Sequence, residues 1–113
     1  MEIREFIDSI LETARSFPWI RRTEVNSTIA YARIRLWLNS SYVDVFYRRK
    51  TQNISYAYIE QDERVFGANN MKIGWHLHPY GETDKHLPIK QISFKEFLKT
   101  LEKELRSRGK LIV

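Results

Sequence analysis

Cysteine is absent from this 113-residue chain. That excludes disulfides and cysteinate metal sites, and it fits a reducing compartment. No apolar run approaches the roughly 20 residues that cross a bilayer as a helix. The first residues, Met1-Glu2-Ile3-Arg4-Glu5, are acidic and amphipathic, unlike a secretory leader. No membrane association and a cytoplasmic location are the expectations. Glycine and proline are scarce, at four and three residues, so each is informative about where regular structure breaks. Several kinds of machinery are missing. There is no P-loop, no dinucleotide-binding glycine fingerprint, no His-Glu-x-x-His helix and no Gly-x-Ser-x-Gly elbow. No repeat or low-complexity linker divides the chain, so residues 1–113 read as a single domain around one core.

What is present is basic and aromatic. The net charge is +5 and the isoelectric point is near 9.6. That favours an anionic partner, such as nucleic acid or an acidic protein segment. Charge that serves solubility alone is the competing explanation. Aromatic residues make up 13% of the chain, enough to make the core or a binding surface aromatic-rich.

The spacing of Ile3, Phe6, Ile7, Ile10, Leu11 and Ala14 predicts an amphipathic helix from about Glu2 to Phe17, stopped before Pro18. Strands are predicted over Trp19–Val25, Thr28–Asn39, Tyr42–Arg48, Ile54–Gln61 and Arg64–Ala68, with a turn at Asn26-Ser27. Ser93-Phe94-Lys95-Glu96 matches a capping box. Phe94, Phe97, Leu98, Leu101 and Leu105 then form a helical stripe, with Gly109 as its stop. Leu111-Ile112-Val113 reads as a short tail strand or a disordered end. The expected fold is α+β: an N-terminal helix, an antiparallel meander of about five or six strands and a C-terminal helix, with both helices on one sheet face.

All three histidines fall within one stretch, Gly74 to Pro88. If Trp75 to His78 is extended, the side-chain period of two puts His76 and His78 on one face. Pro79 would end that strand for want of an N–H. The polar loop that follows has enough chain to bring His86 back. Three imidazoles can act as acid and base, and then no cofactor is needed. Alternatively, His76, His78 and His86 can hold a divalent metal such as zinc. A structural strand with satisfied histidines is the plain alternative. Lys85 and an arginine are the candidate cations for a phosphoryl centre. Asn69-Asn70 reads as a turn, with the Asn70 amide as a candidate for orienting substrate or histidine.

Tyr31, Arg33, Arg35 and Trp37 alternate with Ala32, Ile34 and Leu36, and Phe46 and Arg48 share their face in a hairpin. Aromatics interleaved with arginines suit single-stranded nucleic acid, with bases on rings and guanidinium groups on phosphates. Arg48-Arg49-Lys50 adds candidate phosphate contacts. Simple cross-strand pairing, or a homodimer surface, would use the same residues.

From Val65 to His86 the chain resembles the TumE-like toxins of toxin–antitoxin pairs. In that family a short strand leads to an Asp-Asn pair, then to closely spaced histidines and a later histidine segment. Here Val65-Phe66, Asn69-Asn70, His76 with His78-Pro79, and His86-Leu87-Pro88 stand in those places. The aromatic run from Tyr42 to Tyr58 and the helix from Ser93 are also similar. Gly67 stands where the family usually has arginine, and Asn69 where it usually has aspartate, so a mechanism that needs that acid would fail here. The resemblance implies a toxin that acts on RNA, partnered by a small DNA-binding antitoxin. A noncatalytic nucleic-acid- or antitoxin-binding module and a small histidine-based metal protein are the other readings.

Overall fold

Glu2 and Glu5 begin the first helix. Each side chain accepts a backbone N–H of the other residue, so the capping box here uses glutamate at both places. The structure, a computed structural model, describes residues 1–72 and 74–111. Its elements run α1 (Ile3–Ala14), β1 (Arg22–Ser27), β2 (Tyr31–Trp37), β3 (Tyr42–Arg48), β4 (Asn53–Glu60), β5 (Glu63–Asn69), β6 (His76–His78), β7 (Leu87–Pro88) and α2 (Phe94–Ser107). The strands form one antiparallel sheet in sequence order from β1 to β7. No helix among the described residues is long and apolar enough to cross a membrane.

Both helices cover one sheet face. Phe6, Ile7 and Ile10 of α1 and Phe97, Leu98, Leu101 and Leu105 of α2 share a core with Ala32, Ile34, Leu36, Val43, Val45, Tyr56 and Phe66. Each large apolar side chain enclosed there contributes about 1.5–3 kcal/mol relative to exposure. Ser93 caps α2 in the expected box with Glu96. At its end Gly109 takes a left-handed φ of 71°, and the Lys110 N–H reaches back to the Leu105 carbonyl.

Three boundaries differ from expectation. Asn26 and Ser27 belong to β1, opposite Arg33 and Ala32. The turn lies after them because the Thr28 hydroxyl accepts the backbone N–H groups of Ala30 and Tyr31 at 3.0 and 3.2 Å. Trp19 stays outside the strand, where its indole donates to Glu102 at 2.6 Å. There are seven strands among the described residues, because Leu87-Pro88 pairs with β6 at the sheet edge, where proline is tolerated. Ile112 and Val113 of the expected tail lie outside the described residues.

The other sheet face carries no helix. Antiparallel partners share a face, so the open side can be read from the register. It presents Tyr31, Arg33, Arg35 and Trp37 on β2, opposite Arg48, Phe46, Asp44 and Tyr42 on β3. Next come Ser55 and Ala57 on β4, opposite Asn69 and Gly67 on β5, and then His76 and His78 on β6. The β4–β5 register shifts at Tyr58/Ile59, so that Arg64 pairs with Ile59 while Phe66 pairs with Tyr58. Val65 is the extra residue. This bulge moves Arg64 from the core side to the open side.

Candidate functional site

The histidines gather on that open face. His76 and His78 lie opposite Asn69 and Gly67, and Leu77 between them packs on the core side. Pro79 follows the strand. The Gly81 N–H bonds to the Val65 carbonyl at 2.8 Å, and the Lys85 N–H to the Glu82 carbonyl at 3.0 Å. These turns return the chain so that His86 stands just before β7. Ring centroids are 5.0 Å apart for His76–His78, 5.1 Å for His76–His86 and 4.5 Å for His78–His86. One nitrogen from each ring lies within 4.8 Å of the others. His76 and His78 are 7% and 2% exposed, and His86 is open to solvent.

The hydrogen bonds settle the tautomers. Nδ1 of His76 is 3.0 Å from the Gly74 carbonyl, and Nδ1 of His78 is 2.9 Å from the Thr83 carbonyl. A carbonyl can only accept, so both Nδ1 atoms carry protons, and in the neutral ring the lone pair sits on Nε2. The Asn69 amide lies 3.3 Å from Nε2 of His78. Its Oδ1 accepts the Met71 N–H at 3.0 Å, which leaves Nδ2 to donate to the imidazole. Nε2 of His76 has no hydrogen-bond partner among the described residues.

Asn69 thus touches the cluster, and Asn70 does not. Oδ1 of Asn70 accepts the Ile54 N–H at 2.7 Å, and its Nδ2 donates to the Gln52 carbonyl at 3.1 Å. Asn70 clamps the start of β4, so the orienting role expected for it belongs to its neighbour. Lys85 is exposed and ion-paired with Glu82 at 2.8 Å. The cation beside the histidines is Arg64. Its Cδ would lie 3.3 Å from a Cβ built on Gly67, so the arginine side chain passes over that glycine. Sequence reasoning favoured a plain turn for Asn69 and passed over Arg64. Gly67 was the available signal, since a lone glycine inside a strand marks a bulge or a close approach.

Burial holds the His78 imidazolium below the usual histidine range, and the charges of Arg64, His86 and His76 add to this against the Thr83 hydrogen bond. The unfolded chain therefore binds a proton at about pH 6.5 that the folded chain refuses, and stability rises with pH across that window. Acidification from about pH 7.5 to 5.5 should lower the melting temperature. His78→Gln should flatten that slope in thermal melts. An equal slope in the variant would place the effect elsewhere.

Across β4 and β5 from the histidines, the arginine–aromatic residues form a ridge. Arg33 lies 5.0 Å from the Phe46 ring centre, Arg35 4.8 Å from Tyr42 and Arg22 4.7 Å from Trp37. Tyr31 packs on Phe46 at 5.7 Å and Trp37 on Tyr42 at 4.6 Å. Asp44 sits between Arg33 and Arg35, at 3.9 and 3.6 Å. Burial raises the affinity of its carboxyl for a proton, and the two arginines oppose that. Arg48 lies 5.9 Å from Phe46. Arg49 is ion-paired with Glu2 at the start of α1, and Lys50 lies in the adjoining turn. Arg33→Ala with Arg35→Ala should weaken single-stranded RNA binding and flatten its salt dependence. It should also cost stability, because Asp44 loses both counter-ions. Adding Asp44→Asn should restore the melting temperature but not the binding. An unchanged affinity and salt slope in filter-binding titrations would remove the ridge from the binding surface.

No protein-family model, curated protein or solved structure matches the chain.

Proposed function

We propose that this protein is a toxin-like endoribonuclease that lays single-stranded RNA across the open sheet face and cuts it at the histidines. One observation carries the reading: the clustered imidazoles and the arginine–aromatic ridge share the face that no helix covers. Nε2 of His76 is the free lone pair, and it takes the proton from a ribose 2′-hydroxyl. The 2′-oxygen attacks the adjacent phosphorus, and the bond to the 5′-oxygen breaks. His86, open to solvent, gives that oxygen a proton. The products are a 2′,3′-cyclic phosphate and a 5′-hydroxyl, and no cofactor takes part. Groups of this kind typically contribute about 10²–10⁴-fold each. His78 is held neutral behind them. A small DNA-binding antitoxin is the protein partner this reading calls for, and a helix-turn-helix protein encoded beside the chain would support it.

A second reading has its own support. With both Nδ1–H groups tied to backbone carbonyls, the Nε2 atoms are presented as in a histidine metal site with oriented ligands. Zinc–nitrogen bonds of about 2.0–2.1 Å would bring the nitrogens closer together than they stand. His86, on its exposed loop, is the ligand free to close that gap, and His78 would give up the Asn69 amide. Cleavage of total RNA with and without EDTA separates the two. Cleavage that persists in chelator, by protein purified without a histidine tag, supports acid–base chemistry. Cleavage that is lost in chelator and restored by one equivalent of zinc supports the metal centre. Failure to cut RNA in either condition would leave the ridge as a noncatalytic binding surface.

A further inference from the structure

The open face has a low floor between its two functional edges. Ser55 and Ala57 on β4 and Gly67 and Asn69 on β5 lie there, all small beside the rings of β2, β3 and β6. Strand spacing of about 4.8 Å puts β3 and β6 roughly 14 Å apart, room for one nucleotide strand running between ridge and histidines. The floor carries one long side chain. The bulge at Val65 turns Arg64 outward, and the missing Cβ of Gly67 gives it space to lie flat. Gly67 is the direct cross-strand partner of His78, so the side chain lies on the strand beside His78, close enough for its charge to act on that imidazole.

Arg64 differs from Arg22, Arg33 and Arg35 on this face in its charge environment, and Arg48, also without an ion pair among the described residues, lies by the Phe46 ring at the ridge rather than on the floor. Arg33 and Arg35 share Asp44, and Arg22 is paired with Glu24. Among the described residues no carboxylate lies within ion-pair distance of Arg64. An exposed guanidinium kept free of carboxylates on the face that carries the imidazoles suits a phosphate, which it can grip with two parallel hydrogen bonds. We infer that Arg64 seats the scissile phosphodiester on the floor over Gly67, against His76 and His78. This deepens the ribonuclease reading and rests on it for the identity of the ligand.

The test uses a 2′-deoxy hexanucleotide, which binds without a 2′-hydroxyl to attack, alongside cleavage of the matching RNA. Wild type should bind the deoxy probe and shift the His78 ring resonances in NMR spectra. Arg64→Gln should weaken that binding about 10- to 100-fold and abolish the ring shift. Arg64→Lys should recover part of the affinity. Circular dichroism and melting temperature check that both variants fold. Equal binding and an equal His78 shift in folded Arg64→Gln would overturn the inference. RNA cut at wild-type rates by Arg64→Gln would also overturn it, while leaving the ribonuclease reading standing. Arg64-dependent binding by a wild type that cuts no RNA would sustain the anion seat and sink the ribonuclease.

Discussion

His86→Ala should lower RNA cleavage by about 10²–10⁴-fold and leave the melting temperature unchanged. The ring is exposed and makes no hydrogen bond among the described residues, so its loss opens no cavity and strands no partner. The same substitution at His78 would be a poorer probe. That ring is 2% exposed and is held by the Thr83 carbonyl and the Asn69 amide. His78→Ala would leave both groups unsatisfied, at about 1–3 kcal/mol each. Burial of both rings makes His86 the position where chemistry separates from folding. Because the proposed base and acid act on one proton-transfer path, His76→Gln with His86→Ala should be little worse than His86→Ala alone. Cleavage of a defined oligoribonucleotide under single-turnover conditions gives the comparison. Wild-type activity in folded His86→Ala would reduce the cluster to a structural feature.

The elements legible in the sequence were those written by local period. The stripes of α1 and α2 and the alternation in β2 and β3 each repeat over enough residues to outweigh exceptions. The faces followed: Ala32, Ile34 and Leu36 lie in the core, and Arg33 and Arg35 lie outside it. Features that depend on a distant partner were not legible. Leu87-Pro88 has no strand signature and becomes β7 only because β6 offers an edge. The outward turn of Arg64 depends on how β5 registers against β4. Asn69 and Asn70 are equivalent as letters, yet alternation sends the first to His78 while the second clamps the loop before β4. His76 and His78 could be placed on one face from their spacing. The return of His86 goes with a backbone bond from Gly81 in the loop to Val65 on β5, which no local pattern encodes.

Phe97→Ala should cost about 3–5 kcal/mol, a large part of the roughly 5–15 kcal/mol that holds a domain of this kind together. Phe97 is fully buried on α2, with its ring 5.3 Å from Phe66 and 5.2 Å from Tyr56. Those two residues alternate with floor residues along their own strands and face the opposite side of the sheet. Phe66 precedes Gly67 on β5, and Tyr56 pairs with Ala68. The helix therefore props the sheet from behind at the place where the histidines stand in front. β6 has only three residues and β7 two, so these strands have few hydrogen bonds of their own to hold the cluster. Truncating the ring removes apolar contacts and leaves a cavity that the surrounding aromatic rings can only partly fill. Urea unfolding should show a lower midpoint with an unchanged slope. Phe97→Leu, which keeps most of the volume, should cost well under half as much. Hydrogen exchange should show the amides of β6 losing protection before those of β2 and β3. RNA cleavage by Phe97→Ala should track the folded fraction as temperature rises, because the substitution touches no group on the open face. A midpoint shift worth less than about 1 kcal/mol would mean that α2 does not dock behind the site.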